Sequence, residues 1–234
     1  MKKVVFLLPG REFSMRFVGS WTSTLLALPE MGVIPIPQFG YIPNVFDVRN
    51  KILGGKKFAP VGFKPFNGEL DYDYLMWIDS DQVWFPEQFK MLFDRMEGDP
   101  SLHIVSGVYV KEDGDLSLAV DWETSPTGKT QYLHFDEVPK LPSKFMKVPF
   151  AGMGFMLVRK GVFEKFEYPW FQPLRFQVES GSSAYSGEDA AFCLRAAKAG
   201  FPTWVDLEVI IGHEKTTVLG WAPTVRTKEM REQD

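Results

Sequence analysis

The first half of the chain alternates short apolar runs with segments of helical spacing, and this alternation restricts the fold more than any other feature. Most of the runs end at Pro, Gly or Asp, which is typical of buried strands that stop at turns. The strand-like runs are residues 4–8, 33–39, 74–78 and 104–110, and the helix-like segments are residues 13–28, 44–53 and 86–96. This order predicts an α/β fold with a largely parallel central sheet and flanking helices. Pro35 and Pro37 predict an edge position or an irregular course for the second strand.

The second half of the chain follows a different pattern. Its predicted elements are strands at residues 145–151, 154–159 and 203–207, a helix at residues 187–199 and a loop at residues 168–183. No segment has the composition of a linker between domains. We therefore expect a single domain over residues 1–220, followed by a charged C-terminal tail over residues 221–234.

Composition and charge exclude several classes of protein. The 234 residues carry a formal net charge of −4, which argues against a nucleic-acid partner because such proteins usually have a basic excess. Cys193 is the single cysteine, so a disulfide scaffold and a cysteine-rich zinc site do not fit. The apolar run near the N-terminus is too short for a signal-peptide core or a transmembrane segment. These features predict a cytoplasmic protein with no transmembrane segment.

Asp79-Ser80-Asp81 directly follows the apolar run at residues 74–78. In open α/β sheets, ligands bind at the carboxyl ends of the strands. Two carboxylates at alternate positions of an extended segment point the same way, and they suit Mg²⁺ or Mn²⁺ that also holds phosphate oxygens. The alternative is a strand-to-helix turn in which the two carboxylates bond to nearby backbone N–H groups.

Ser186-Gly187-Glu188-Asp189 stands at the start of the predicted helix 187–199. One interpretation is structural, because Ser186 fits an N-cap and Asp189 lies three residues further on, as in a capping box. The other is chemical, because Glu188 or Asp189 could act as a general base that deprotonates a hydroxyl. Two carboxylates are present, so both interpretations can hold together.

Three smaller motifs contain further candidate binding residues. His213 could complete a metal site and Lys215 could neutralise a diphosphate, although both could also be ordinary loop residues. Arg11 or Arg49 could reach a phosphate or a base, and a solvated surface position is the alternative for each. Gly152-Met153-Gly154 would let a ligand approach the backbone, and a kinked strand explains it equally well.

The ordered set of these motifs resembles the GT-A fold glycosyltransferases, from about Val4 to Lys215. Asp79-Ser80-Asp81 and Gly187-Glu188-Asp189 carry the most specific part of the resemblance. It implies a Rossmann-like single domain, with a nucleotide-binding half at about residues 1–110 and an acceptor half at residues 111–220 that holds a small antiparallel sheet. The size resembles the compact enzymes of bacteria, phages and large DNA viruses, and a viral origin would place the protein in the host cytoplasm.

The resemblance implies a role for each motif. The metal ligands would be Asp79, Asp81 and His213, and the metal would be Mn²⁺ or Mg²⁺. The nucleotide sugar would contact Pro9, Gly10, Arg11, Arg49, Asp79, Ser80 and Lys215. Asp189 or Glu188 would be the base, and substrate would contact Gly152, Met153, Gly154, Trp170 and Tyr185. The implied reaction moves a sugar from a nucleotide-diphosphate sugar to a hydroxyl of a glycan or glycoconjugate, with inversion. A UDP-sugar is favoured as the donor, and a GDP-sugar is the alternative.

Two other functions remain open from the sequence. A nucleotidyltransferase also uses Asp-held Mg²⁺ and a nucleotide, but it would usually carry a Gly-rich, basic signature after the first strand, and Gly10-Arg11 is a poor version of it. A non-catalytic carbohydrate-binding protein on the same fold would agree with the aromatic content of 15%. It would not need the two acidic motifs and His213 together.

Overall fold

The computed structural model describes residues 1–111, 113–121, 131–177 and 183–215. Its strands are β1 (Lys2–Pro9), β2 (Val33–Gly40), β3 (Tyr74–Ile78), β4 (Gln82–Val83), β5 (Ile104–Tyr109), β6 (Asp115–Asp121), β7 (Gln131–His134), β8 (Phe145–Val148), β9 (Phe150–Ala151), β10 (Phe155–Arg159), β11 (Arg175–Gln177), β12 (Ser183–Tyr185) and β13 (Thr203–His213). Its α-helices are α1 (Met15–Ala27), α2 (Val45–Ile52), α3 (Pro86–Gly98) and α4 (Glu188–Lys198). Short 3₁₀ helices lie at Pro65–Gly68, Phe135–Lys140 and Phe163–Lys165.

The central sheet has eight strands in the order β2-β1-β3-β10-β5-β13-β4, with β8 also paired to β13. Strand β1 pairs in parallel with β2 and β3, and β5 pairs in parallel with β13. The predicted edge position of the Pro-containing strand is confirmed, because β2 pairs with β1 alone on that path. Strand β10 lies antiparallel between β3 and β5, so the sheet is more mixed than the prediction of a largely parallel one.

Two small antiparallel sheets lie beside the central sheet. One has the order β7-β6-β9, and the other pairs β11 with β12. Part of residues 168–183, predicted to be a loop, is therefore a strand, because Arg175–Gln177 finds a partner in Ser183–Tyr185. The predicted α/β class, with a large central sheet and a small antiparallel sheet, is confirmed.

Apolar side chains of alternate strand residues pack on the two faces of the central sheet. On one face, Phe6 packs against Trp21 of α1 and Phe89 of α3. On the other face, Trp77 packs against Phe171, which in turn stacks on Phe192 of α4. Burying a side chain of this size contributes about 2–3 kcal/mol to folding, so both faces hold the sheet firmly between helices. None of the helices in the described ranges is both long and apolar enough to cross a membrane.

The strand ends bring the polar motifs to one region of the sheet. The loops after β1 and β3 leave adjacent parallel strands, so Pro9-Gly10 and Asp79-Ser80-Asp81 emerge side by side. The two-residue strand β4 follows at once and pairs antiparallel with the end of β13, with Gln82 opposite His213. The Glu214 N–H also donates to the Asp81 carbonyl at 2.7 Å. The C-terminal end of β13 is thereby held against Asp79-Ser80-Asp81 and β4.

Candidate active site

A cleft of about 450 Å³ opens at the carboxyl ends of β1 and β3, and we call it the first cleft. Its lining includes Pro9, Gly10, Arg11, Arg49, Asp79, Ser80, Asp81 and Glu188. The structure therefore brings most of the predicted nucleotide-contacting residues to one place. Gly10 is needed there, since a Cβ on it would lie 2.5 Å from the Ser80 Cβ. Glu12 and Tyr41 also line the cleft and were missed by sequence reasoning, because isolated Glu and Tyr residues carry no motif.

Asp81 lies in a cationic environment at this cleft. Its Oδ2 is 3.0 Å from His213 Nε2 and 3.0 Å from Lys215 Nζ, and its Oδ1 accepts a hydrogen bond from Gln82 at 2.8 Å. Burial opposes ionisation of this carboxyl, but the hydrogen bonds and charges of His213 and Lys215 outweigh it and hold the pKa of Asp81 well below its usual range. Asp81, His213 and Lys215 are thus placed together, as the sequence predicts.

Asp79 has different partners. Arg49 Nη2 is 3.0 Å from Asp79 Oδ2 and 3.2 Å from Glu188 Oε1, so one guanidinium bridges two carboxylates. The Arg49 side chain is only 3% exposed and its guanidinium lies over the ring of Trp77, 5.3 Å from the ring centroid. Arg49 was predicted to contact the nucleotide, and this stays a prediction, because the residue lines the first cleft. Two carboxylates occupy its Nε and Nη2, whereas its buried Nη1 has no hydrogen-bond partner among the described residues.

Replacing Arg49 with Met is expected to destabilise the fold by about 2–4 kcal/mol, because removing one partner leaves Asp79 and Glu188 as uncompensated, largely buried charges. Lys at position 49 is expected to recover only part of the loss, since an ammonium lacks the planar fork that serves both carboxylates. Urea unfolding midpoints at constant m-value measure the effect. Lys90→Met is the control, because the ion pair of Lys90 with Asp94 is exposed and contributes little. Equal losses in the two variants would contradict a bridging role.

A separate cleft of about 350 Å³, the second cleft, contains Asp189. Asp189 and Glu188 are adjacent at the start of α4, yet Glu188 lines the first cleft and Asp189 lines the second. Burial, reinforced by the negative charge of Glu188, raises the pKa of Asp189 to about 6. A carboxylate with a pKa near neutrality has the basicity that a general base requires.

The local structure around Asp189 differs from the predicted capping box. Gly187 is the N-cap of α4 and contributes no side-chain hydrogen bond. The Ser186 hydroxyl instead accepts a hydrogen bond from the Leu174 N–H at 3.0 Å, and Asp189 Oδ1 accepts from the Ala190 N–H at 2.6 Å. The Ser186 hydroxyl therefore holds the residue just before β11, and Asp189 remains at the second cleft.

Gly152 and Gly154 make room for a side chain. A Cβ on Gly152 would collide with the Tyr109 hydroxyl, and one on Gly154 would lie 2.8 Å from the Tyr109 ring. The two glycines thus have a packing role, Gly152 also lines the second cleft, and their contact with substrate stays a prediction. Met153 between them is buried, with 1% exposure.

The two aromatic residues predicted to contact substrate lie in different environments. Trp170 is fully buried and stacks on Phe63, so it belongs to the core and presents no face to a substrate. The next residue, Phe171, is buried in the same way. Tyr185 is 68% exposed and lines the second cleft, where its ring is accessible.

The predicted metal set divides between two groups of contacts. Within the described ranges, no group of three or more His, Cys, Asp or Glu side chains is arranged to hold a metal. Asp81 and His213 form a pair, whereas Asp79 faces Arg49. A carboxylate and an imidazole suit Mn²⁺, and a catalytic divalent ion commonly completes its ligands with substrate phosphates and water. The donor chemistry of Asp81 and His213 therefore fits such an ion, with Asp79 outside the pair.

Comparison with known proteins gives a family match and structural neighbours. Residues 62–166 match the model of the glycosyl transferase family 2, a segment that contains β3 and Asp79-Ser80-Asp81. The crystal structure of A197 from STIV is 14% identical with a TM-score of 0.51, covering 96% of this chain and 100% of that one. The structure of GalNAc-T7 with UDP, GalNAc and Mn²⁺ is 12% identical with a TM-score of 0.54, covering 91% of this chain and 43% of that one. No curated protein matches the chain.

These findings define the class of the fold. The chain has the mixed α/β architecture of GT-A proteins, with its polar motifs at the strand ends where the first cleft opens. The family match over the central segment supports glycosyl transfer as the general activity. At this level of identity, the neighbours themselves show the fold alone.

Proposed function

We propose that this chain transfers a sugar from a nucleotide-diphosphate sugar to a hydroxyl of a glycan or glycoconjugate, with inversion. One observation carries the proposal. Two adjacent carboxylates at the N-terminus of α4 serve two clefts, Glu188 the first and Asp189 the second. An inverting transferase places the leaving diphosphate and the attacking hydroxyl on opposite faces of the donor's reacting carbon, and the two clefts would receive these two groups.

The first cleft would hold the donor. Pro9, Gly10, Arg11 and Ser80 would contact the nucleotide, and Lys215 beside Asp81 would add positive charge near the diphosphate. Asp81 and His213 would hold Mn²⁺ or Mg²⁺, which when bound neutralises the charge of the leaving diphosphate. Arg49 would orient the Asp79 and Glu188 carboxylates at the edge of this cleft. A UDP-sugar is the favoured donor and a GDP-sugar the alternative.

The second cleft would hold the acceptor. Asp189 would take the proton of the attacking hydroxyl, which then displaces the diphosphate from the opposite face of the donor sugar. Glu188 is the poorer base, because it is ion-paired with Arg49 and lines the other cleft. Tyr185 would offer its exposed ring to an acceptor sugar. This assignment places most of the nucleotide site in about residues 1–110 and most of the acceptor site in residues 111–220. Glu188, His213 and Lys215 join the nucleotide site from the second half, and Tyr109 joins the acceptor site from the first. Residues 221–234 lie outside the described part of the chain.

The direct test measures binding and turnover of donors. Thermal unfolding is followed with UDP- and GDP-sugars, each with Mn²⁺ and with a chelator, and released nucleoside diphosphate is measured in parallel. A ligand that binds only the native state at a hundred times its Kd stabilises it by about 2.7 kcal/mol, so one donor is expected to raise Tm by several degrees in a Mn²⁺-dependent way. Slow donor hydrolysis is expected with the same donor.

The two rival functions predict other results. A nucleotidyltransferase would be stabilised by nucleoside triphosphates and would release pyrophosphate from them. A non-catalytic carbohydrate-binding protein would release no nucleoside diphosphate from any donor. Either pattern would overturn the proposal.

A further inference from the structure

Tyr109 is the last residue of β5 and lies where the two clefts approach each other. It lines the second cleft with Asp189, and its ring lies 4.7 Å from the ring of His213, which contacts Asp81. Gly152 and Gly154 leave the space that the phenol occupies. Among the described residues, no hydrogen-bond partner is found for its hydroxyl. The Tyr109 hydroxyl therefore occupies the space beside the two glycines and lines the second cleft, and within the described ranges it bonds to no protein group.

A largely buried Tyr hydroxyl usually has a hydrogen-bond partner. Tyr72 shows the ordinary case in this fold, because its hydroxyl donates to Glu164 at 2.6 Å. A Tyr phenol is protonated at neutral pH, so the Tyr109 hydroxyl is a hydrogen-bond donor, and it faces the second cleft.

The charge of the second cleft restricts what can occupy it. Lys111 is the one cation in the described lining of this cleft, and its Nζ lies 3.8 Å from both Asp113 and Asp115. The ammonium also covers the ring of Tyr132. Its charge is therefore already balanced, while Asp189 adds a negative charge at neutral pH. An acidic sugar would meet net repulsion here, and a neutral hydroxylated ring would not.

We propose that Tyr109 is a substrate-binding residue whose hydroxyl donates a hydrogen bond to a ring or hydroxyl oxygen of a neutral acceptor sugar in the second cleft. In this position it helps to present the attacking hydroxyl to Asp189. The inference rests on the proposed function and adds to it a specific contact and a substrate class.

The test compares Tyr109→Phe with Tyr72→Phe, which both remove one buried hydroxyl. Neutral methyl glycosides of glucose, galactose, mannose and N-acetylglucosamine serve as acceptors, and methyl glucuronide is the acidic counterpart of the first. For Tyr109→Phe we expect kcat/KM for the neutral acceptor to fall about tenfold or more, while donor KM, donor hydrolysis and Tm stay unchanged. For Tyr72→Phe we expect a lower Tm and unchanged acceptor kinetics, because Glu164 loses its donor.

The outcomes separate the inference from the function on which it rests. Wild-type protein that neither hydrolyses nor transfers any donor overturns the proposed function. Transfer that persists in Tyr109→Phe with unchanged acceptor kinetics overturns the role of Tyr109 and leaves the function standing. Donor hydrolysis without transfer to any neutral glycoside, or a preference for methyl glucuronide, overturns the substrate class. A loss of Tm in Tyr109→Phe equal to that in Tyr72→Phe would show a structural role instead.

Discussion

Asp189→Asn is expected to lower sugar transfer by about a hundred- to ten-thousand-fold, the range that a positioned general base contributes. The amide cannot accept the proton of the attacking hydroxyl, but its oxygen can keep the hydrogen bond from the Ala190 N–H. Asp189 lines the second cleft and not the first, so donor binding should remain. The expected signature is lost transfer together with a preserved Mn²⁺-dependent rise in Tm on adding the donor.

The same substitution is expected to stabilise the folded state at neutral pH. The pKa of Asp189 is about 6 in the folded protein, because burial and then Glu188 disfavour its charge, against an ordinary value of 3.8. Between these values the folded state holds the extra proton, so stability falls as pH rises from about 4 to 6. Above pH 6 the ionised carboxylate opposes folding by about 2–3 kcal/mol. Asn removes that cost, so its advantage should be absent at pH 4 and complete at pH 7.

Kinetics against pH and urea unfolding at pH 4 and pH 7 measure both effects. Wild-type transfer should fall as pH drops through about 6, because the base becomes protonated. Glu188→Gln is the matched control on the neighbouring residue. It should keep measurable transfer, lose stability because Arg49 loses one of its two carboxylate partners, and move the acid limb to lower pH, since one negative charge beside Asp189 is gone. Full transfer activity in Asp189→Asn would remove this residue from the mechanism.

Local patterns predicted the elements because local physics decides them. Ser14 caps α1 and Asn44 caps α2 through side-chain hydrogen bonds to residues three further along the chain. The apolar run that forms β3 ends at Asp79, as predicted. Parallel strands expose their carboxyl ends along one edge, so the gathering of the motifs after β1 and β3 also followed from the sequence.

Contacts between residues far apart in the chain determine the features that the sequence did not predict. Whether Trp170 belongs to the core or the surface depends on Phe63, more than a hundred residues earlier in the chain. The partners of Arg49 come from the loop after β3 and from α4, and neither lies near Arg49 in the chain. The antiparallel course of β10 is likewise invisible in its apolar pattern, which reads the same in either direction. Burial and tertiary pairing therefore account for the corrections to the site.

Asp81→Asn is the second substitution with a large expected effect, and its pattern should be opposite to that of Asp189→Asn. Asp81 faces both His213 and Lys215 at the first cleft. Removing its charge takes away the carboxylate proposed to hold the metal, so transfer and donor hydrolysis should both fall by about a thousandfold or more. The Mn²⁺-dependent rise in Tm with the donor should disappear.

In metal-free buffer, Asp81→Asn should lower the stability of the folded state, whereas Asp189→Asn should raise it. Burial opposes ionisation of Asp81, but His213 and Lys215 more than compensate and depress its pKa. A carboxyl group whose pKa is depressed in the folded state stabilises that state at pH values above its ordinary pKa. This stabilisation is lost as the pH falls below the ordinary pKa. Because this carboxylate is 40% exposed, solvent screening limits the contribution to about 1 kcal/mol, which Asp81→Asn should lose at pH 7.

Asp94→Asn is the control for Asp81→Asn, since the exposed ion pair of Asp94 with Lys90 should contribute little and lies on α3, outside the lining of both clefts. The two active-site variants are expected to give contrasting results. Asp189→Asn is expected to bind donor, fail to transfer and gain stability, whereas Asp81→Asn is expected to lose donor binding, transfer and stability together. Donor binding that survives in Asp81→Asn and is insensitive to chelator would refute the metal site. The proposed role of Asp189 at the second cleft would still be tested independently by Asp189→Asn.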